Sequence, residues 1–365
     1  MSGTTAFLYS EDFLLYQFGP GHPFQPIREK LTLDTLSSLG VFEDCSSRVV
    51  APSPVDMEHL NRVHPPEFVS LVEKLCMEKG ELDQGDTPAN PDLLKGALSA
   101  VGATLRGVQG IMGGEFEHAF NPAGGLHHAH PTRSSGFCVF NDIAVAVRAL
   151  QKDHGLHRIA VVDIDGHHGD GTQDIFYDED VLTISLHRYG RGFFPGSGGT
   201  EERGEGEGKG YNINLPLPAG TDDNLYLRAY RAIVIPALRS YRPEFIIHQF
   251  GTDGHHRDPL VGLGLTTRGY EELSRMTHDA AHELCNGRYL VVGGGGYDID
   301  ATRRTWSIMF ASLSGSYPLG SGRIASLHDR EELISDERNA SEVNRIIDKQ
   351  EEASLPMLER VIRYA

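Results

Sequence analysis

Residues 159–170 read Ile-Ala-Val-Val-Asp-Ile-Asp-Gly-His-His-Gly-Asp. Four apolar residues in a row, two of them valine, predict a strand buried on both faces, the kind that parallel sheets use. The polar cluster then falls at the carboxyl end of that strand. In open α/β sheets ligands bind there, in the crevice formed by the loops that leave the strands. Asp165 and His167 are one residue apart, so in extended chain both side chains point the same way. A carboxylate and an imidazole on one side supply two of the three protein ligands of a catalytic zinc site. Asp163 and Asp170 read as acids that hold histidine rings in a chosen tautomer. The plain alternative is a polar turn whose acids cap the next helix. That reading gives no reason for Asp and His to crowd the end of a buried strand.

The rest of the chain alternates strand and helix patterns. Strands are expected at 5–9, 47–50, 181–186, 245–250 and 289–292, and helices at 65–78, 91–112, 141–152, 172–176, 222–238, 268–285, 301–314 and 329–364. No linker of disordered composition and no repeat of solenoid period interrupts them. The alternation therefore predicts one mixed or mostly parallel α/β domain over residues 1–365. The first nine residues lack a basic segment followed by an apolar one, and no apolar run reaches membrane-spanning length, so a cytoplasmic protein is expected.

Three further stretches carry chemistry. Gly-Gly-Leu-His127-His128-Ala lies in a glycine-flanked loop whose turn can aim both rings inward, toward the otherwise unclaimed Asp163 and Asp170; a solvent-exposed pair is the alternative. Asp253 follows another strand, placed for a third metal ligand or for a turn cap, whereas Asp258 before Pro259 reads as a cap. His255 and His256 read as loop residues at the mouth and are not assigned as ligands. Four glycines, 293–296, precede Tyr297; no Lys-Ser/Thr follows, which disfavours a phosphate loop, and the glycines would let the tyrosine swing in. Phe193-Phe194-Pro195, set among glycines, reads either as a wall for an apolar ligand or as ordinary core packing. Residues 80–91 read as an acidic, solvated loop, and residues 329–364 as helix without chemistry.

Composition narrows the partners. A formal net charge of -18 argues against nucleic acid, which needs a basic surface, and would attract a basic, lysine-bearing polypeptide. Cys45, Cys76, Cys138 and Cys285 are far apart and form no CxxC pair, so neither a disulfide framework nor a thiolate zinc site is expected.

These motifs, in this order, make the chain resemble the histone deacetylase family, with its three-layer α/β/α arginase/deacetylase fold. The likeness runs from Gly21-His-Pro and Arg28 to Gly293-Gly-Gly-Gly-Tyr297-Asp. It includes Ser-Gly136-Phe137-Cys, Asp163-Ile-Asp165-Gly-His167-His168-Gly-Asp170-Gly and Asp258-Pro-Leu260. Among members of the family the bacterial acetoin utilisation proteins look most similar. The resemblance implies removal of acetyl or other short acyl groups from Nε-acyl-lysine, with Zn2+, or Fe2+ in the cell, on Asp165, His167 and Asp253. It implies His128 as general base and acid, paired with Asp170, and His127 as electrostatic partner, paired with Asp163. Tyr297 would bind the oxyanion. Gly136, Phe137, Phe194 and Leu260 would wall an acyl-lysine tunnel, and Asp86 would grip substrate backbone at the rim. The family also binds K+, here matching Asp163, Asp165, His167, Ser185 and Leu186 at one site and Phe176, Val181 and Tyr211 at a second. Gly166, Thr252 and His255-His256-Arg257 depart from the usual pattern and leave the preferred acyl chain open. An acetylpolyamine amidohydrolase would use the same site. A catalytically silent acetyl-lysine binder is the reading of a different class; such relatives lack a ligand or the tyrosine, and every one of these positions is filled here. A binuclear ureohydrolase is disfavoured, because Asp165-Gly-His-His-Gly-Asp170 has one residue too many for its Asp-x-His-x-Asp spacing.

Overall fold

Ile159–Asp163, the strand expected from the apolar run, is buried along its whole length in the computed structural model of the chain. The structure describes residues 4–43, 45–83, 85–316, 321–331 and 333–364. Among the described residues eight strands form one sheet: β1 (Thr5–Leu8), β2 (Ser47–Val50), β3 (His118–Asn121), β4 (Ile159–Asp163), β5 (Leu182–Arg188), β6 (Asn212–Leu217), β7 (Phe245–Gln249) and β8 (Tyr289–Val292). Their order is β2-β1-β3-β8-β7-β4-β5-β6. Every neighbouring pair is parallel, so the sheet is wholly parallel rather than mixed. All the carboxyl ends therefore share one edge, and the loops after β3, β4, β7 and β8 converge there.

Helices cover the sheet in two groups, giving three α/β/α layers. One group contains Pro66–Glu78, Pro91–Met112 and Asp142–His154; the other contains Ile27–Ser38, Thr267–Cys285, Ile299–Leu313 and Glu337–Tyr364. Pro91–Met112 packs its small residues tightly: a Cβ on Gly107 would lie 2.7 Å from the Leu290 side chain. Asn90 caps this helix by accepting from the backbone N–H groups of Asp92 and Leu93, and Pro91 stands at its first position, where a missing N–H costs nothing. Under the second group, Phe7, Phe120, Trp306 and Phe310 meet edge-on or tilted.

Several expectations need correction. β3 and β6 are strands that the apolar pattern does not announce, because β3 is short and polar-ended and β6, Asn-Ile-Asn-Leu-Pro-Leu, carries a proline that only an edge or strand-end position tolerates. The helix expected over 222–238 is three pieces: Asp223–Ala229, a π turn over Tyr230–Val234, and Ile235–Tyr241 with Pro236 in its first turn. The helix expected from 329 begins at Glu337, because Asp329 is used elsewhere. At the β6 edge, Gln350 of Glu337–Tyr364 donates to the Asn214 carbonyl, so this helix lies along the outer strand.

Candidate active site and metal centre

Past the end of β4 the chain folds on its own carboxylates. Asp163 Oδ1 accepts from the Asp165 N–H (3.0 Å), and Asp165 Oδ1 accepts from the His167 N–H (3.0 Å). Alternate residues are thereby held on one side, and the turn after β7 brings in Asp253, whose Oδ1 accepts from the Gly166 N–H (2.6 Å). His167 Nδ1 lies 2.8 Å from Asp253 Oδ2 and 3.3 Å from Asp165 Oδ1. One ligand atom from each of Asp165, His167 and Asp253 falls within 4.8 Å of the other two, and all three residues are buried. Asp165 Oδ2 is occupied by Gln249 Nε2 (2.8 Å) and the Gly295 N–H (2.7 Å), which leaves Oδ1 turned to the cluster.

The electrostatics of this cluster fit a cation. Among the described residues the ion-pair partners of Asp165 and Asp253 are histidines, with no Lys or Arg. Burial and the charge of Asp165 push Asp253 up to about 7. Burial works against protonation of His167, yet its hydrogen bonds to Asp165 and Asp253 and their charges raise it to about 10. Two buried acids thus demand a positive charge, and the oxygen and nitrogen donor set, free of sulfur, suits zinc or ferrous iron.

Beside it sit two histidine–aspartate pairs. The loop after β3 is fixed by Asp142, whose carboxylate accepts from the Gly125 and Leu126 N–H groups (3.1 and 2.8 Å) and from Thr104 Oγ1 (2.6 Å). His127 Nδ1 meets Asp163 Oδ2 at 2.7 Å, and His128 Nδ1 meets Asp170 Oδ1 at 2.6 Å. Both rings are buried rather than exposed, and their Nε2 atoms are 3.1 Å apart. Their proton affinities diverge. Burial opposes protonation of His127, but the charges of Asp163 and Asp165 raise it to about 9. Burial and the charge of His127 lower His128 to about 4. At neutral pH one ring is charged and the other is a free base.

Tyr297 is set by its backbone. Asp258, a cap as expected, accepts from the Tyr297 N–H at Oδ2 (2.8 Å) and from the Leu260 N–H at Oδ1 (2.9 Å). Arg28, buried between the Phe24 and Trp306 rings, donates to the carbonyls of Gly294 (2.7 Å) and Gly296 (2.9 Å). The glycine run needs its glycines: a Cβ on Gly294, at φ +97°, would stand 2.1 Å from Gln249 Nε2. The Tyr297 ring lies 6.5 Å from that of His167, and burial with the charges of Asp253 and Asp165 keeps its phenol protonated, able to donate.

A narrow pocket leads to these groups between Phe24, Gly136, Phe137, Cys138 and Tyr297, with His127 and His128 at its wall. A Cβ on Gly136, at φ +52°, would reach within 2.6 Å of the His128 ring, so the close approach depends on glycine. Phe137 also holds a positive φ, 66°, with its carbonyl accepting from Tyr16 Oη at 2.7 Å. The two neighbouring phenylalanines are placed differently. Phe193 stacks flat on His167 at 5.1 Å, while Phe194, 40% exposed, stands edge-on to His128 at 4.9 Å. Leu260 is 41% exposed in the loop after β7, where its N–H is held by Asp258. Asp86 is exposed, and its carbonyl accepts from His22 Nε2 (3.1 Å), whose ring lies 4.5 Å from Phe137.

Sequence reasoning misplaced or missed several residues. The 80–91 loop is not merely solvated, since Asp83 Oδ2 accepts from the Gly136 N–H (3.0 Å) and Thr87 Oγ1 from the Phe137 N–H (3.3 Å). His255 is fully buried on Asp329 (2.8 Å) instead of open at the mouth, so the 329–364 stretch supplies a buried structural partner to this loop. Gln249 and Asp142 were missed; the polar His248-Gln249 end of the 245–249 strand was the available signal. Ser185 faces Asp163 across β5 and β4, and the Leu186 carbonyl accepts from Tyr226 Oη at 3.0 Å. Phe176, Val181 and Tyr211 lie near the start of β5, where the Thr183 N–H donates to the Tyr211 carbonyl.

The histone deacetylase domain matches residues 22–313. The chain belongs to the histone deacetylase family. A relative from Bacillus subtilis, acetoin utilization protein AcuC, is 40% identical over 324 residues, 86% of this chain and 83% of that protein. AcuC from Staphylococcus aureus (strain MSSA476) is 35% identical over 331 residues, 88% of this chain and 84% of the relative. A probable deacetylase from Archaeoglobus fulgidus is 38% identical over 300 residues, 81% of this chain and 82% of its own. Among solved structures, the HDA15 HD domain superposes with a TM-score of 0.83 at 28% identity, over 99% of this chain and 98% of the other. The arrangement is therefore the arginase/deacetylase fold of this family, and the chain is one of its AcuC-like hydrolases. Among the described residues no helix is long and apolar enough to cross a membrane.

Proposed function

We propose that the chain, acting as one deacetylase domain, is a zinc-dependent amidohydrolase that removes acetyl or other short acyl groups from Nε-acyl-lysine in proteins or peptides. The observation that carries this reading is the convergence of Asp165, His167 and Asp253 beside a histidine pair of opposite proton affinity and a protonated tyrosine. A cation held by those three residues, zinc or in the cell ferrous iron, would supply Lewis acidity to the amide carbonyl and to an attacking water.

The remaining work falls to the protein's own groups. His128, neutral at pH 7 and oriented by Asp170, takes the proton of the attacking water at Nε2 and returns it to the departing lysine amine. His127, kept charged by Asp163, stabilises the negative charge that develops. Tyr297 donates its phenol hydrogen to the oxyanion, a contribution of about 10²- to 10³-fold in rate for one such donor. Gly136, Phe137, Phe194 and Leu260 wall the acyl-lysine stem, and Asp86 accepts from substrate backbone at the rim. K+ would sit with Asp163, Asp165, His167, Ser185 and Leu186 through mixed backbone and side-chain oxygens, and again with Phe176, Val181 and Tyr211, oxygen being the ligand that hard cations take. The acidic balance also suits an acetylpolyamine, and relative kcat/KM on amine and peptide separates the two substrates.

Turnover of a fluorogenic acetyl-lysine peptide tests the roles. Wild type is expected to hydrolyse it, with Tyr297→Phe and His128→Ala each lowering kcat by at least about 10²-fold. Unchanged rates in both variants would overturn the assignment, and peptide binding without turnover by wild type would mark a silent binder.

A further inference from the structure

A second set of histidines converges at the amino edge of the sheet, the end remote from the active site. His118 is the first residue of β3, and His278 and His282 are four apart on Thr267–Cys285, hence on one face of that helix. Their Nε2 atoms meet: His118 to His278 at 3.0 Å, and His278 to His282 at 2.9 Å. All three ligand atoms lie within 4.8 Å of one another. The Glu117 carboxylate stands 3.7 Å from His282 Nδ1 and 3.9 Å from His118 Nε2.

Hydrogen bonding alone accounts poorly for this geometry. Each ring nitrogen offers one in-plane site, as a donor or as an acceptor. His278 Nε2 can therefore make one good hydrogen bond but has two nitrogens at bonding distance. A cation at the centre would satisfy all three lone pairs together. Tetrahedral zinc with nitrogen at about 2.0–2.1 Å sets its ligands about 3.3 Å apart, close to the 3.0 and 2.9 Å separations of His278 from His118 and His282. His282 and Glu117 are 44% and 31% exposed, which leaves a path from solvent and room for a fourth ligand.

We propose that His118, His278 and His282 form a second metal site, selective for imidazole-seeking divalent transition ions such as Zn2+ and Cu2+, which ties β3 to the helix Thr267–Cys285. Burial, with mutual repulsion between the rings, lowers His118 to about 3, and burial with the His282 charge lowers His278 to about 4, so both rings offer free lone pairs at neutral pH. The site is independent of the proposed hydrolytic centre, and neither needs the other.

Chelator-stripped full-length protein, dialysed against Zn2+ and then subjected to elemental analysis, decides the matter. Wild type should hold two equivalents, Asp253→Ala one, and His278→Ala/His282→Ala one, the last with wild-type acetyl-peptide turnover and an unchanged circular dichroism spectrum. Cu2+ added to Asp253→Ala should show nitrogen superhyperfine structure by electron paramagnetic resonance, lost when His278→Ala and His282→Ala are added. If the double variant does not fold, His282→Gln alone, at the exposed position, should weaken Zn2+ binding at least tenfold in Asp253→Ala. Equal metal content in wild type and the folded histidine variant, or unchanged affinity in His282→Gln, overturns the proposal.

Discussion

His127 and His128 are neighbours in sequence, yet one is raised to about 9 and the other lowered to about 4. The divergence has a consequence for pH dependence. A base works when deprotonated, so the competent fraction of His128 grows as pH rises through its own pKa and is complete below the ordinary histidine value. The acid limb of kcat/KM against pH should accordingly lie below about 6.5. In His127→Ala the charge that depresses His128 is gone, and the limb should move upward while the rate falls. A limb that stays in place would show that His127 does not tune its neighbour. Asp253 read as a ligand or a turn cap and the roles of the histidine pair came with the family resemblance, but Asp165 and His167 stood out from spacing, because the end of an apolar run leaves little else for those side chains to do. Gln249 and Asp142 did not, because each acts on residues far away in the chain, Asp165 in one case and the Gly125-Leu126 turn in the other. Such partnerships exist only after folding.

At the scale of elements, the amino end of Thr267–Cys285 is held by Asp329. Its Oδ2 accepts from the Thr267 N–H (2.8 Å) and pairs with His255 Nε2 (2.8 Å), and its Oδ1 accepts from Arg304 Nη1 (2.8 Å). Burial works against ionisation of Asp329, but these partners hold it far below the usual carboxylate range. Asp329→Ala should cost about 3–5 kcal/mol in chemical denaturation, the range for breaking a buried pair. The sign with pH follows from the depressed folded value. The stabilisation is fully present above about 4, where the unfolded carboxyl is ionised, and fades as acid protonates the folded one, so wild type and Asp329→Asn should converge at low pH. A constant difference between them down to pH 2 would reject the assignment. Helix 91–112 was legible from its pattern of apolar and small residues, and in the structure Asn90 caps its start. The π turn inside the helical stretch expected over 222–238 was not, since apolar periodicity is nearly the same across a π turn and gives no sign of the extra residue.

For the molecule as a whole, alternation of strand and helix was enough to give one α/β domain with a mixed or mostly parallel sheet, whereas the order of strands and the uniformly parallel pairing depend on crossovers that leave no mark on composition. The net charge of -18 acts at this scale too. For a lysine-rich acetylated peptide, kcat/KM should fall roughly three- to tenfold between low and 0.5 M salt with kcat little changed, because salt screens encounter rather than chemistry. A salt-independent kcat/KM would remove charge from the account of substrate choice. The outer strands differ in how they are finished. On β2, Arg48 pairs with Glu115 at 2.7 Å and puts charge on the rim, while β6 relies on Gln350 from the helix Glu337–Tyr364, a segment beyond the part of the chain that matches the family domain. Cutting the chain after Ser316 would strip β6 of that shield and offer its unpaired amides as a template to other copies. Such a truncation should scatter light and precipitate as its concentration rises, even with every group of the hydrolytic centre intact.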